Sequence, residues 1–241
     1  MNAIVALLPT LNSGVDLDEQ DVGVDDAAEG PQRGSHRRLQ LQGRRVTSGA
    51  ERSMLGRMGK VTISFEMTLD GVFDQMEHWF DVEDPELVRH SDELVFGADA
   101  VLLGRESYEF FREYWPAQTD DRGFAAHYNA LPKYVASTTL SGPLDWNATL
   151  IEGDVAETVR RLRDRYDSII SHGYGKLAAT LVDAGLVDEI HAGIHPFLVG
   201  NAEDRLRTPH PVGLRLLDVQ SYDSGIIAAR YAPATDGGAE A

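Results

Sequence analysis

The 241-residue sequence contains no cysteine, which excludes a disulfide framework, a thiolate metal site and a cysteine nucleophile. Long apolar runs are also missing, because no stretch approaches the roughly 18 apolar residues that a membrane-spanning helix requires. The short apolar run near the N-terminus has no basic residues before it, so we predict no secretory signal. From these absences we expect a cytoplasmic protein that does not enter a membrane.

Positive charge is scarce, since 22 Lys and Arg residues stand against 39 Asp and Glu residues, for a formal net charge of −17. Such a surface repels the phosphate backbone of nucleic acids, so we do not expect nucleic-acid binding as the main activity. A ligand that carries phosphate needs a local site of backbone amides and a few cations. The histidines show no spacing with carboxylates that is typical of a metal site, and no metal is predicted.

Composition divides the chain into three parts. Residues 1–57 are rich in polar residues, and we predict a disordered extension, because such a segment buries too little apolar surface to offset the entropy lost on ordering. A second interpretation makes this Arg-containing segment an interaction arm. Residues 58–235 carry regular helix and strand patterns and are predicted to form one domain, and residues 236–241 are predicted to be a disordered tail.

Strand and helix patterns alternate within the predicted domain. Buried strand patterns such as AVLLG and SIISHG are followed by amphipathic helix patterns, and the sequence ends with LRLLDVQSY and IIAARY, joined by a short DSG turn. The last two segments are typical of an antiparallel hairpin. The sequence therefore predicts an α/β fold, with a mostly parallel central sheet, helices on both faces and a C-terminal antiparallel hairpin.

The junction after the strand VLLG is suited to binding an anion. Gly104 is followed by Arg105 and Ser107 in the predicted first turn of a helix, where backbone N–H groups lack partners and the helix dipole is positive. A phosphate could therefore bind there. The alternative interpretation is an ordinary tight turn between a strand and a helix.

A second junction of the same kind follows the strand SIISH. Gly173, Tyr174 and Gly175 lead into a helix that opens with Lys176 and Leu177. The two glycines allow a ligand to approach the backbone closely, although the segment is not the GxGxxG fingerprint of dinucleotide-binding proteins. An ordinary turn explains these glycines equally well.

The third junction is the end of the strand KYVA, where Ser137 and Thr138 supply hydroxyl groups. In an open α/β sheet, ligands bind at the carboxyl ends of the parallel strands. Three such ends with residues suited to phosphate predict an elongated phosphorylated ligand, such as a dinucleotide.

Two residues at other strand ends are candidate catalytic groups. Asp70 follows the first strand, and His195 lies in a later strand that is otherwise apolar. A carboxyl group or an imidazole at this edge of the sheet could polarise a substrate or protonate it. The alternatives are that Asp70 belongs to a common Asp-Gly turn and that His195 is a packed side chain.

Several segments together resemble the dihydrofolate reductase fold, and more closely the C-terminal reductase domain of the riboflavin-biosynthesis deaminase/reductase. They are ISFEMTLDG, VLLGRESYEFF, LPKYVASTTL, SHGYGKLAATLVDAG and LLDVQSYDSGIIAARY. The resemblance implies a three-layer fold and an NADPH-dependent reductase that forms a homodimer. It also implies that the cofactor is bound by Gly104, Arg105, Ser107, Ser137, Thr138, Gly173, Tyr174, Gly175, Lys176 and Leu177. Asp70 and His195 would border the small-molecule substrate.

The sequence departs from riboflavin-pathway reductases at two of these places. The second glycine turn reads His-Gly-Tyr-Gly where those enzymes have Glu-Gly-Gly, and Thr138 stands where related chains often have arginine. Because of the first departure, the identity of the substrate stays open. Because of the second, NADH stays an alternative to NADPH as the cofactor. The expected activity is hydride transfer to a small heterocyclic or carbonyl substrate, with 5-amino-6-(5-phosphoribosylamino)uracil as the leading example. The alternative is a nucleotide-binding protein that has this fold but does not catalyse a reaction.

Overall fold

The computed structural model describes residues 58–73, 76–80, 85–120, 122–200, 208 and 210–234. The predicted N-terminal extension and the predicted C-terminal tail lie outside the described residues. The statements that follow concern the described part of the chain.

Eight strands and five α-helices make up the described part. The strands are β1 (Lys60–Thr68), β2 (Ala100–Gly104), β3 (Lys133–Ala136), β4 (Ala148–Leu150), β5 (Ser168–His172), β6 (Glu189–His195), β7 (Leu214–Ser221) and β8 (Ile227–Pro233). The helices are α1 (Pro85–Phe96), α2 (Arg105–Tyr114), α3 (Phe124–Ala130), α4 (Val155–Arg165) and α5 (Lys176–Asp183), with single 3₁₀ turns at Met76–His78 and Trp115–Ala117.

All eight strands belong to one sheet in the order β4-β3-β2-β5-β1-β6-β8-β7. The strands from β4 to β6 in this order run parallel to their neighbours. Strand β8 pairs antiparallel with both β6 and β7. The predicted α/β fold, mostly parallel with a C-terminal antiparallel hairpin, is therefore confirmed.

The sheet is the middle layer of three. Because side chains alternate between the faces of a strand, Val101 and Leu103 of β2 pack on one face with Phe111 of α2. Leu102 packs on the other face with Leu181 of α5. Helices α1, α2 and α3 contribute to the first of these two cores, and α4 and α5 contribute to the second.

Helix α2 forms as its sequence predicts, with an aromatic stripe on one side. Tyr108, Phe111 and Trp115 recur at helical spacing and are at most 2% exposed. On the outer side, Arg105 and Glu109 form an ion pair of 3.0 Å at i and i+4. These three aromatic residues are core residues, as their spacing indicates, whereas Phe110 is 36% exposed.

Strand β4 is an element that the sequence analysis does not predict. The chain enters it through Trp146 and Asn147, which both have positive φ angles, of 57° and 52°. Their side chains hold this conformation, because Trp146 Nε1 donates to Asn129 Oδ1 at 2.6 Å and Asn147 Nδ2 donates to the carbonyl of Ala130 at 2.9 Å. Tryptophan rarely adopts this conformation, so the sequence gives no signal that a strand begins just after Trp146.

A buried lysine closes the C-terminal end of α3. Lys133 is fully buried, and its Nζ donates to the carbonyls of Tyr128 and Asn129 at 2.6 and 2.7 Å. The same nitrogen lies 4.2 Å from the centre of the Trp146 ring. Burial lowers the pKa of Lys133 to about 7. This lysine therefore links α3, β3 and the entry to β4.

No helix in the described ranges is both long and apolar enough to cross a membrane. Within the same ranges, no cluster of three or more His, Asp or Glu side chains is arranged to hold a metal ion.

Candidate functional site

The carboxyl ends of β3, β2 and β5 are neighbours at one edge of the sheet. Gly104 at the end of β2 lies opposite Ala136 at the end of β3, and Leu102 lies opposite Ser171 of β5. The three junctions singled out in the sequence therefore leave the sheet side by side. This is the edge at which ligands of open α/β sheets bind.

Helices α2 and α5 start from neighbouring strands but pack on opposite faces of the sheet. Helix α2 follows β2 and contributes Phe111 to one core, whereas α5 follows β5 and contributes Leu181 to the other. The two helices therefore leave neighbouring strands toward opposite faces, and the space between their N-termini is a topological switch point of the sheet, where open α/β folds bind ligands. We call this space, bordered by residues 104–107 and 173–177, the β2–β5 crevice.

At the β2–α2 junction, the backbone is open to a ligand. None of the described side chains caps α2 at Gly104, and no atom of the described chain comes within 4 Å of a Cβ added there. Arg105 is exposed and pairs with Glu109, so a phosphate must compete with that carboxylate for the guanidinium. Ser107 is half-buried in the first turn.

At the β5–α5 junction, the two glycines have different roles. Gly173 has a φ angle of 81°, which favours glycine, and its N–H donates to the carbonyl of Ser64 at 2.8 Å. Gly175 precedes α5 in an extended conformation, and a Cβ added there meets no atom of the described chain within 4 Å. Lys176 is exposed in the first turn of the helix. Gly173 thus makes the turn, and Gly175 keeps the crevice open.

Two predicted cofactor residues contribute their side chains to the core instead. The Tyr174 ring is 7% exposed and packs edge-on against Phe65, with 5.3 Å between the ring centres. Leu177 packs against the same core. Tyr174 and Leu177 can therefore face the crevice only through their backbone atoms.

Ser137 holds the turn that follows β3. Its Oγ accepts hydrogen bonds from the backbone N–H groups of Thr139 and Leu140, at 3.1 and 3.0 Å. A hydroxyl that accepts two bonds still has a proton to donate to a ligand. Thr138 is exposed beside it.

Asp70 ties the segment after β6 to the end of β1. Its carboxylate accepts hydrogen bonds from Thr68 Oγ1 at 2.5 Å and from the Gly200 N–H at 2.9 Å. The bond from Thr68, and then the bond from Gly200, lower the pKa of Asp70 to about 2. Asp70 is therefore ionised at neutral pH and serves as a hydrogen-bond acceptor at this edge.

His195 lies at the same edge but is only 1% exposed. Its ring packs against Trp79 and Phe80, with ring centres 5.0 and 5.2 Å away. Its Nε2 lies 3.0 Å from Glu66 Oε2. The environment of His195 is that of a packed side chain with a hydrogen-bond partner, the alternative that the sequence analysis kept open.

Glu66 is a buried carboxylate that the sequence analysis missed. It is 6% exposed and sits beside Gly193 of β6, where an added Cβ would lie 1.6 Å from Glu66 Oε2. The missing side chain of Gly193 therefore creates the space for the carboxylate. No local pattern reveals this, because a glutamate in an alternating strand usually faces solvent.

A second group of polar residues lies between α1 and the sheet. The rings of His90 and His191 stack with centres 5.7 Å apart, and burial lowers the pKa of both. His191 Nε2 lies 2.9 Å from Glu189, and none of the described residues offers a hydrogen-bond partner to His191 Nδ1. Together with Ser64 and Glu66, these histidines line a cavity of about 10 Å³, which is room for one water molecule.

Residues 59–228 match the model of the RibD C-terminal domain family. The chain belongs to this family. The matched range contains the β2–β5 crevice, Asp70 and the Glu66–His195 pair, and it begins at the second described residue. The family resemblance in the sequence is thereby confirmed.

Three relatives are similar to this RibD C-terminal domain. It is 24% identical over 179 residues to the uncharacterized protein YyaP of Bacillus subtilis, covering 71% of this chain and 94% of YyaP. A pyrimidine reductase-like protein of Corynebacterium diphtheriae has a TM-score of 0.54 at 16% identity, with 77% of this chain and 95% of that chain covered.

The third relative is the deaminase/reductase of Thermotoga maritima, whose name includes 5-amino-6-(5-phosphoribosylamino)uracil reductase. Its TM-score is 0.56 at 16% identity, and the match covers 77% of this chain but 60% of that longer chain. Such likenesses show a shared fold. The RibD C-terminal domain described here therefore has the predicted dihydrofolate reductase-like three-layer architecture.

Proposed function

We propose that this protein is an NADPH-dependent reductase that transfers hydride to a small heterocyclic or carbonyl substrate. The observation that carries the proposal is the β2–β5 crevice, where two helices start from neighbouring strands and neither has a side-chain cap at its N-terminal glycine. Membership in the RibD C-terminal domain family supports the same reaction class.

The residues around the crevice fit a pyrophosphate bridge. A side chain at Gly104 or Gly175 would project into empty space, so both glycines leave the N–H groups of the following turns accessible to a ligand. Helix N-termini favour anions, and Arg105 and Lys176 add positive charge to a protein of net charge −17. The binding free energy for a dinucleotide would thus come from this local arrangement, because the negative net charge of the whole protein repels the phosphates.

In the proposed reaction, the reduced nicotinamide supplies the hydride, and the protein aligns the two reacting carbons. Asp70 fixes the segment around Gly200 beside the end of β1, through the hydrogen bonds described above. An ionised carboxylate with a pKa of about 2 accepts hydrogen bonds from a substrate and does not donate a proton near neutral pH. We therefore propose that Asp70 orients or polarises the substrate and that solvent water supplies the proton.

Riboflavin-pathway pyrimidines are the leading candidates for the substrate. The name of the Thermotoga maritima relative includes 5-amino-6-(5-phosphoribosylamino)uracil reductase. The match to that protein is confined to its fold, so dihydrofolate and simple carbonyl compounds belong in the same screen.

A second candidate function is nucleotide binding without catalysis. The observation in its favour is that Asp70 is ionised and His195 is buried under aromatic rings. Neither predicted proton donor is then placed to protonate a substrate. Protein that binds NADPH but never oxidises it with any acceptor would support this second function.

The first experiment is a fluorescence titration with NADPH and NADH. Replacing Gly104 or Gly175 with leucine fills the crevice without backbone strain, because neither glycine has a positive φ angle. We expect each variant to keep the thermal stability of the wild type and to bind NADPH at least ~100-fold more weakly. The matched control is Gly213→Leu, at a glycine far from the crevice that precedes β7.

Two results of this titration would contradict the proposal. Tight NADPH binding by both crevice variants, or no binding by the wild type, would remove the dinucleotide from this crevice. Protein that passes the binding test is then mixed with candidate acceptors, and the loss of NADPH absorbance is measured.

A further inference from the structure

A short segment between β1 and α1 packs tightly against the sheet. Residues 76–80 contain a 3₁₀ turn, and the N–H groups of Trp79 and Phe80 both donate to the carbonyl of Met76, at 3.2 and 2.8 Å. Met76 and Trp79 are at most 3% exposed, whereas segments that connect a strand to a helix usually lie on the surface. We call residues 76–80 the edge cap.

The edge cap lies at the carboxyl ends of β1 and β6. His195 is the last residue of β6 and lies opposite Thr68, the last residue of β1. The rings of Trp79 and Phe80 pack against the His195 ring. Thr68 donates a hydrogen bond to Asp70, which follows the same strand end. The edge cap and Asp70 therefore belong to the same edge of the sheet.

Glu66 determines the orientation of the His195 ring. Its Oε2 lies 3.0 Å from His195 Nε2. A carboxylate oxygen accepts hydrogen bonds and donates none, so it fixes the rotation of the imidazole and the proton on Nε2. The rings of Trp79 and Phe80 meet the imidazole at angles of 66° and 49°. These two contacts depend on that rotation, because the energy of a ring contact depends on its geometry.

The position of Glu66 is not explained by packing. It lies opposite Gly193, and its carboxylate occupies the space that a side chain there would fill. Glutamate is almost never buried without a partner, and a well-packed apolar side chain of similar size would stabilise the interior at least as well as a buried polar pair. The pair is therefore better explained by the ring that it orients than by stability.

We propose that Glu66 and His195 are positioning residues that hold the edge cap over the substrate end of the candidate site. Glu66 orients the imidazole, the imidazole supports the two aromatic rings, and the edge cap borders the space beside Asp70 where the substrate binds. This proposal rests on the proposed function, because that function makes this edge the substrate end. The β2–β5 crevice lies farther along the sheet, so the pair should affect the substrate and leave NADPH binding unchanged.

The first test is hydrogen exchange of the full chain, measured by mass spectrometry of a peptide that spans residues 76–80. Glu66→Leu removes the acceptor and keeps a side chain of similar size. The Trp79 and Phe80 amides should exchange about tenfold faster in this variant. Peptides from β2 should change less, because their exchange requires unfolding of the whole domain. Glu66→Gln keeps an oxygen that can accept from Nε2, and it should behave like the wild type.

Glu189→Leu is the matched control. Glu189 Oε2 lies 2.9 Å from His191 Nε2, so it forms the same kind of pair, but at the start of β6 and away from the edge cap. This variant should leave hydrogen exchange in residues 76–80 unchanged.

The second test separates KM from kcat in protein that reduces an acceptor. Glu66→Leu should raise the KM for the acceptor about tenfold, with kcat changed by less than ~threefold and the NADPH dissociation constant unchanged. Glu66→Gln and Glu189→Leu should keep the KM of the wild type. A purely structural role of Glu66 would lower the amount of folded enzyme, and with it kcat, but would leave KM unchanged.

Equal exchange of the edge cap in the wild type and in Glu66→Leu would overturn the proposal, whatever activity the protein has. An unchanged acceptor KM with a loosened edge cap would also overturn it, because the edge cap would then not border the substrate. If the wild type reduces no acceptor, the proposed function fails, and the exchange data alone decide whether the pair holds the edge cap. Circular dichroism shows whether each variant is folded, and Glu66→Met replaces Glu66→Leu if the latter is not.

Discussion

Glu66 of β1 and His195 of β6 form a hydrogen bond of 3.0 Å in the interior, across two strands that pair side by side. Both residues are at most 6% exposed. A buried carboxylate is costly unless a partner satisfies it, and here the partner is an imidazole. Gly193 supplies the space that allows the two side chains to meet.

Replacing Gly193 with alanine is therefore expected to expel the carboxylate. The added Cβ would lie 1.6 Å from Glu66 Oε2. The variant should lose about 3 kcal/mol of unfolding free energy, from overpacking and from the broken pair. Urea denaturation measures this loss, and Gly213→Ala is the control, because its Cβ has an ordinary contact of 3.4 Å with Ala234.

A double variant tests whether the collision with Glu66 causes the loss of stability in Gly193→Ala. Glu66→Ala removes the group that collides with the new methyl group, so Gly193→Ala should cost far less in that background. Additive losses would show that Glu66 is not the reason for glycine at this position.

His172 makes stability depend on pH below neutrality. Burial lowers its pKa from 6.5 to about 3 in the folded protein, so the unfolded chain takes up the extra proton as the pH falls. Stability present above pH 6.5 is thus lost progressively toward pH 3. Between pH 6.5 and 4.5, His172 should account for about 2 kcal/mol of the loss.

The variant His172→Leu removes this titration and keeps an apolar side chain against Phe111 and Tyr128. Urea denaturation at both pH values should show a smaller loss for the variant than for the wild type. Equal losses would mean that His172 takes up its proton without unfolding the protein.

Asp70→Asn should loosen the segment that follows β6. The carboxylate accepts from the Gly200 N–H, and an amide group presents a donor where this acceptor is needed. Hydrogen exchange at the Gly200 amide should become about tenfold faster. Any reductase activity should fall by about tenfold without a change in its pH profile between pH 5 and 9, because the carboxylate is ionised throughout this range. A pH profile of activity that changes shape in the variant would indicate that Asp70 acts as a proton donor.

Arg105→Ala should weaken NADPH binding more than it weakens folding. The ion pair between Arg105 and Glu109 is exposed, so its loss has little effect on stability. If Arg105 contacts a phosphate of the cofactor, the NADPH dissociation constant should rise about tenfold, and less so at high salt.

Arg89→Ala is the matched control for Arg105→Ala. Arg89 pairs with Glu93 at i and i+4 in α1, at 2.8 Å, but lies away from the crevice. Equal effects of the two variants on NADPH binding would exclude a specific contact by Arg105.

The periodic elements of the fold were predictable from the sequence, because their signals are local. The aromatic stripe of α2 and the strands of the final hairpin follow from spacing alone. Strand β4 was not predictable, because Trp146 and Asn147 adopt a left-handed conformation that contacts with α3 stabilise. The bulge in β7 was missed for a similar reason, since it appears only in the pairing with β8.

The residues of the candidate site also include some that the sequence could predict and some that it could not. The strand-to-helix positions of Gly104, Gly173 and Gly175 could be predicted, because a glycine between a strand and a helix is visible in the sequence. The burial of Glu66 could not, because Gly193 lies 127 positions further along the chain and only the sheet brings the two together. Whether Asp70 or His195 acts in catalysis stays a prediction.

Burial of Lys133 has a practical consequence for attaching dyes or surfaces to this protein. The chain has only three lysines, and Lys133 is inaccessible to amine-reactive reagents. Such reagents would react with Lys60, with the terminal amine and with Lys176, and labelling at Lys176 would obstruct the β2–β5 crevice. Because the sequence has no native thiol, a single cysteine introduced on the surface away from the crevice gives a unique attachment point for immobilisation.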